Sequence, residues 1–431
     1  MEMRRLNIFQ RCIRVWEEAA PYNAAQVLEI AGAADLGRIE EAWNGALAAT
    51  GLGVVRVEGA RFGFEAAGRQ EVKVVEGELP AFITREIIRA FDEPGERGRN
   101  GRAEMMPFRP FVMKREGSYY MGAMYQHWVA DSVSMRMLLR EWFCRLHDAG
   151  GVTGRALEMP KGGLWRYFGP GRTGWNLSGG AMGLWRGMRQ FKTARRLEAV
   201  NEDHAVACSL HRLPDGVVDG LVTAARGRGA TLNDFFMAAL ARACDVHGAE
   251  PRRSGRDLAL GTIADLRGMS QENLENVFGL FLGFTELVIR AEDLKDREKL
   301  IARIAAQNKR HKENKAAAAS VLRMGMGFMQ GRFLSQKRLA SFYRNYMPLF
   351  GGVSNVNMNR SWPAKYHPGV VLDYIRVAPT GPMVPVVIAA TTIGKRFTFM
   401  LTRRASVVDE ESGEKLAGMF IEELTALGKM G

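Results

Sequence analysis

The chain has 431 residues, 47% of them apolar, four cysteines and a net charge of +13. That length supports one large or two medium domains with cores of their own. The scattered cysteines (Cys12, Cys144, Cys208, Cys244) argue against a disulfide framework or a zinc site and fit a reducing compartment. No stretch reaches the ~20 apolar residues of a membrane span, and charges break each apolar run of the N-terminal MEMRRLNIFQRCIRVWEEA, so a signal peptide is not expected. The positive balance favours anionic partners. With no zinc finger, RNP-like motif or basic coiled coil, phosphates on a cofactor or carrier suit it better than nucleic acid does.

In chain order, residues 24–31 read as a strand and 35–49 as a helix with Leu36, Ile39, Trp43 and Leu47 on one face. Residues 53–66 form a hairpin turning at Gly59, followed by a strand at 72–75 and a helix at 80–91. A second hairpin turns at Glu116–Gly117 and runs into QHWVAD, which places His127 and Asp131 in an H-x-x-x-D spacing ahead of an apolar helix. Residues 1–150 thus read as one domain. A connecting arm follows at 151–203; between Lys161 and Arg196 it carries eight Lys/Arg, no acidic residue, and Trp165, Trp175 and Trp185. It reads as a surface linker or, since Trp and Arg suit a membrane–water boundary, as an interfacial element over 161–196. Residues 204–431 form a second strand-and-helix half. Strands are expected at 205–213, 257–267, 278–289, 350–357, 370–378, 384–392 and 396–403. Helices are expected at about 214–227, 233–247, 293–317, 320–345 and 409–427. In RMGMGFMQGRF (323–333) methionines stand beside arginines, a pattern that suits core packing or contact with a long acyl chain.

A histidine at the end of a buried strand is placed to act as a base, because its unperturbed pKa of about 6.5 lets it take and return a proton near neutrality. Asp131 and Ser132 are equally ordinary helix N-caps. The motif QHWVADS resembles the H-H-x-x-x-D-G motif of the chloramphenicol acetyltransferase-like superfamily, which includes condensation domains, wax ester synthase/diacylglycerol acyltransferases and BAHD acyltransferases. His127 matches the second histidine and Asp131 the aspartate, while Gln126 replaces the first histidine and Ser132 the glycine. TLNDFFMAALARA (231–243) resembles the T-x-N-D helix motif, TIADLRG (262–268) the D-L-R strand end, ENVFGLFLGF (275–284) the G-N-x-x-G region, and VSNVNM (353–358) the S-N-V-P-G-P motif with Asn357–Met358 in place of Pro–Gly.

The resemblance implies an α/β, two-lobed chloramphenicol acetyltransferase-like fold, each lobe a mixed sheet flanked by helices, with a central tunnel. It implies transfer of an acyl group from a thioester donor, acyl-CoA or the phosphopantetheine arm of a carrier protein, to a hydroxyl or amine of a small or lipid-like acceptor. His127 is then the general base. Asp131 and Arg267 support the active loop, Asn233 and Ser354 are the oxyanion candidates, and Gln126, Trp128, Ser132 and Asn355 the substrate-binding candidates. No metal is expected, and the chain should be a cytoplasmic monomer, with 161–196 as a peripheral contact to the inner membrane surface on the second reading of the arm. The departures at Gln126, Ser132 and Asn357 keep open a non-catalytic, condensation-like protein that binds acyl or lipid-like ligands or a carrier.

Overall fold

The computed structural model describes residues 2–18, 20–91, 102–147, 154, 156–168, 189, 191, 194–195, 205–245, 257–331, 347–362, 370–380 and 384–430. The chain divides into two compact units. The first comprises Met1–Phe168, Arg267–Phe281 and Met358–Arg376, and the second Gly169–Leu266, Leu282–Asn357 and Val377–Gly431. Most of the arm at 151–203, and with it the proposed membrane-contact stretch, lies outside the described residues; within it Leu164–Phe168 is a short helix.

The first unit is built on a five-stranded sheet in the order Val371–Val377, Asn23–Ala31, Ser118–Gln126, Phe108–Arg115, Lys73–Val75. Ser118–Gln126 is buried along its whole length, as its aromatic and apolar sequence requires. Gly117, at φ 70, makes the turn that feeds it. One face of the sheet is covered by Leu79–Ile87, whose Phe82 ring sits 4.6 Å from Phe111. Helices Leu36–Thr50 and Ser132–Leu146 pack together through Trp43 and Trp142, 4.7 Å apart, and Trp43 also meets Phe108 of the sheet. The indole N–H of Trp142 donates to the Ile39 carbonyl at 2.9 Å, so this buried polar atom is satisfied. A smaller four-stranded sheet, Arg4–Arg5, Arg61–Glu65, Val54–Glu58, Arg102–Met105, completes the unit.

Gly122 fixes how closely the two central strands approach. A Cβ there would lie 2.7 Å from the Gln26 carbonyl oxygen and 2.9 Å from Val27 Cγ2. Gly122→Ala is therefore expected to destabilise the protein by about 1–3 kcal/mol, the usual cost of overpacking, read as a lower midpoint in urea unfolding. An unchanged midpoint would mean that the strands can separate freely at this point.

The second unit carries a six-stranded mixed sheet in the order Leu282–Ile289, Leu258–Asp265, Gly351–Asn357, Val386–Ile393, Arg396–Arg404, Val206–Arg212. Gly351–Asn357 is parallel to both its neighbours; the other pairings are antiparallel. Helices Val217–Gly227, Leu232–Asp245 and Glu410–Gly428 bury an apolar face on it, with Phe399 and Phe420 5.2 Å apart in that core. The mixed α/β class read from the sequence is the observed one.

Three local expectations change. Residues 278–281 are not strand: the ladder begins at Leu282, because the backbone of Gly279 and Phe281 is bonded to Ser134 and Asp131 instead. The helix expected over 293–317 is Arg297–Glu313, capped by Asp296, and Lys315 in a left-handed conformation separates it from Ala316–Gly331. Residues 332–345 of the helix expected over 320–345 lie outside the described residues. Ile8–Glu17 is a helix the strand-and-helix reading passed over, although Asn7 and Gln10 form a capping box ahead of Phe9, Cys12, Ile13 and Trp16 at helical spacing.

Candidate active site

His127 is the first residue after the central strand. Its backbone N–H donates to the Tyr22 carbonyl at 3.2 Å, and its ring stacks on Tyr22 with centroids 5.8 Å apart. Tyr125 stands edge-on at 6.0 Å. The ring Nδ1 lies 3.0 Å from the Ala130 carbonyl oxygen. A carbonyl only accepts, so Nδ1 carries the proton and Nε2 is left with its lone pair. Burial pulls the imidazole below the ordinary histidine value, and the charge of Arg376 works in the same direction. The hydrogen bonds and Asp131 offset only part of this, so the ring is neutral near neutral pH.

Asp131 is turned away from that ring. It is fully buried and does two jobs. Oδ1 accepts from the Ser134 N–H at 2.9 Å and caps helix Ser132–Leu146; Oδ2 accepts from Arg267 Nη1 at 2.7 Å and from the Phe281 N–H at 2.9 Å. Arg267 Nη2 also donates to Ser134 Oγ, at 2.9 Å, and its guanidinium lies 4.7 Å from the centre of the Phe281 ring. Burial alone would raise the Asp131 carboxyl; the charge and hydrogen bond of Arg267, with the two backbone N–H groups, bring it below the ordinary carboxylate value. The segment 277–281 is thus clamped onto the loop that carries His127.

Gln126 and Trp128, expected among the substrate contacts, are engaged with each other. Trp128 is 1% exposed and Gln126 6%, and the indole N–H donates to Gln126 Oε1 at 3.1 Å. The Trp128 carbonyl accepts from Gln10, and its ring packs against Phe62. These two residues fix the loop from behind, where a buried indole N–H needs its acceptor. Ser132 is half-buried, and its Oγ receives Gln26 Nε2 at 3.1 Å, Arg136 Nη1 at 3.2 Å and Arg376 Nε at 3.0 Å. Gln26, Arg136, Tyr374 and Arg376 are polar residues of this neighbourhood that the sequence reading did not single out. The only available signal was the D-Y-I-R run of Asp373, Tyr374 and Arg376 inside the strand VLDYIRV.

Asn233, Ser354 and Asn355 belong to the second unit. Asn233 is half-buried in the first turn of Leu232–Asp245. Its neighbour Asp234 organises that turn, accepting from Thr231 N and Oγ1, each at 2.7 Å, and from Asn308 at 2.6 Å. Ser354 and Asn355 lie in the central strand opposite Ala389 and Ala390, and Asn355 Oδ1 is buried without a hydrogen-bond partner among the described residues. Among the described residues no group of three or more His, Cys, Asp or Glu is placed to hold a metal ion.

No protein-family model and no curated protein matches the sequence. Solved structures do match. The condensation domain from the monacolin K polyketide synthase MokA is 14% identical with a TM-score of 0.66, covering 100% of this chain and 98% of that one. The first condensation domain of the calcium-dependent antibiotic synthetase, in complex with a substrate analogue, is 14% identical with a TM-score of 0.68, covering 99% and 97%. The X-domain from teicoplanin biosynthesis, in complex with OxyB, is 17% identical with a TM-score of 0.58, covering 100% and 94%. From end to end, the chain carries the chloramphenicol acetyltransferase-like fold of the condensation domains.

Proposed function

We propose that this protein is an acyltransferase in which His127 Nε2 is the general base. The observation that carries this reading is the ring itself: tautomer set by Ala130, neutral near neutral pH, stacked on Tyr22, and on a loop whose buried aspartate is committed to Arg267 and does not compete for its proton. Nε2 removes the proton of an acceptor hydroxyl or amine as the oxygen or nitrogen attacks the thioester carbonyl. The new C–O or C–N bond forms and the C–S bond breaks. The leaving thiolate takes the proton back from the imidazolium. The anionic intermediate needs hydrogen-bond donors aimed at its oxygen, and Asn233 and Ser354 are the residues we propose for that role. Asp131 and Arg267 hold the loop. The donor is a thioester on CoA or on the phosphopantetheine arm of a carrier protein, whose phosphates suit a chain of charge +13.

No helix among the described residues is long and apolar enough to cross a membrane. We place the reaction in the cytoplasm, with the arm at 161–196 as the segment to test for contact with the inner membrane surface. Mass spectrometry of the protein mixed with acyl-CoA or acyl-carrier donors and varied alcohols and amines tests the reading. A product heavier than the acceptor by one acyl group supports it. Thioester binding with no transfer to any acceptor overturns it in favour of a second reading, a binding module. Gln126 in place of the first motif histidine, and the occurrence of this fold in an X-domain described in complex with OxyB, give that second reading its basis.

The pH profile provides a further expected result. Only the neutral imidazole accepts a proton, so the rate rises with pH through the histidine's pKa. Since burial lowers that pKa, the midpoint of kcat/KM should fall below the ordinary value of about 6.5. A midpoint well above that value would mean that another group is the base.

A further inference from the structure

His127 has a neighbour that the acyl-transfer step leaves unused. Strands Asn23–Ala31 and Ser118–Gln126 end their pairing at Asn23 and Gln126, so Tyr22 and His127 stand side by side just past that last rung. The Tyr22 carbonyl accepts the His127 N–H at 3.2 Å, and the two rings stack at 5.8 Å with 24° between their planes. Tyr22 is held there from both sides. The next residue, Asn23, donates through Nδ2 to the carbonyls of Ile87 and Arg89, each at 2.9 Å, which ties the strand end to the C-terminus of helix Leu79–Ile87. On the other side Trp16 of helix Ile8–Glu17 packs against the phenol at 5.5 Å, and Phe9 stands edge-on to Trp16 at 6.4 Å. Phe9 and Trp16 are buried, so an aromatic column runs from the core through Tyr22 to His127.

The ring is fixed, but its hydroxyl is free. Tyr22 and His127 are both half-buried. The Tyr22 hydroxyl and His127 Nε2 have no hydrogen-bond partner among the described residues, and neither atom is sealed from solvent. Both are therefore open to an incoming molecule. Burial of the ring pushes the phenol up, so the hydroxyl keeps its proton near neutral pH and is a hydrogen-bond donor, not a second base. A fixed donor with no acceptor of its own is useful where charge develops. In the proposed step the attacking oxygen or nitrogen gives its proton to Nε2 and its lone pair to the carbonyl carbon, and the thioester oxygen turns negative. Asn233 and Ser354, the side chains proposed for that charge, belong to the second unit, whereas Tyr22 belongs to the unit of the base. We propose that Tyr22 is a further catalytic residue, whose hydroxyl donates a hydrogen bond to the negative oxygen of the tetrahedral intermediate. This rests on His127 as the general base.

Tyr22→Phe tests the role, because phenylalanine keeps the stacked ring and deletes the hydroxyl. Rates are measured with a donor and acceptor that give product in the mass-spectrometric panel. Both kcat and kcat/KM should fall by about 10²–10³-fold, the usual cost of removing one oxyanion donor. The urea-unfolding midpoint should stay at the wild-type value. Two further readouts separate a donor from a residue that acts through the histidine. The pH midpoint of kcat/KM should not move. In protein carrying histidine labelled with ¹³C in the ring, the His127 resonance should titrate as in wild type; it is identified among the seven histidines by its absence from His127→Ala. Wild-type rates in Tyr22→Phe overturn the proposal, as does a rise in KM alone, which marks a binding contact. A Tyr22→Phe imidazole that titrates differently from wild type also overturns it, since the loss then passes through His127. If wild type transfers no acyl group to any acceptor, the acyltransferase reading falls and takes this role with it. Transfer by wild type that Tyr22→Phe matches removes Tyr22 alone, so the two failures are separate results.

Discussion

His127→Ala is expected to lower turnover by about 10²–10⁴, the usual contribution of a positioned acid–base group, while donor binding and the unfolding midpoint stay close to wild type. The substitution removes an imidazole anchored by one backbone carbonyl and one stacked tyrosine, without uncovering a buried charge. Stability should therefore respond only to lost packing. Kinetics separate the roles: loss in kcat and kcat/KM together marks a group acting in the transition state, whereas a rise in KM alone marks a binding contact. The residual rate should also lose its dependence on pH near the histidine midpoint. A variant that transfers acyl groups as fast as wild type removes His127 from the mechanism, leaving Asp131, which is buried, caps a helix and pairs with Arg267, a poor replacement.

Much of the fold was legible because its strands and helices carry their periodicity locally. Ser118–Gln126 reads as a buried strand from its composition, and Leu36–Thr50 as a helix from the spacing of Ile39, Trp43 and Leu47. Periodicity does not say which sheet a strand joins. Val371–Val377 follows Gly351–Asn357 in sequence, yet it pairs with Asn23–Ala31 at the edge of the first unit's sheet. Nothing in VLDYIRV announces that partner, and so nothing announced Arg376 beside Ser132. Residues 278–281 read as strand because they are apolar, but their backbone groups are taken by Asp131 and Ser134, a tertiary choice that a local pattern cannot register. Motif order carried more than pattern did. It named Arg267 for Asp131 across a separation of 136 residues, and the two side chains lie 2.7 Å apart. The same motif matching put Gln126 and Trp128 among the substrate contacts, where matching by position is blind to an indole N–H that must find an acceptor inside the protein.

Asp131→Asn is expected to cost about 3–5 kcal/mol of stability, the range for breaking one side of a buried ion pair. Asparagine can keep the cap on Ser134 through its carbonyl oxygen. Its NH2 group would then face Arg267 Nη1 and the Phe281 N–H, setting donors against donors where Oδ2 now accepts both. The Arg267 side chain, 8% exposed, would be left as an uncompensated buried charge. Urea unfolding should show a lower midpoint with an unchanged slope. Arg267→Met should cost a similar amount, and the double variant should cost less than the sum of the two, because the second change removes the charge that the first one stranded. The pH dependence has a definite sign. A folded-state pKa below the unfolded value of about 3.9 means that the pair's contribution is complete above that pH and is lost as pH falls through the lower, folded value. The wild type should therefore lose stability in that acid window, and Asp131→Asn should lose less. If instead Asp131→Asn unfolds within about 0.5 kcal/mol of wild type, the scatter of ordinary surface changes, and yet transfers nothing, the carboxylate acts in the chemistry and not in holding the loop. The position of Asp131, 2.7 Å from Arg267 and folded back onto Phe281, gives it no path to do so.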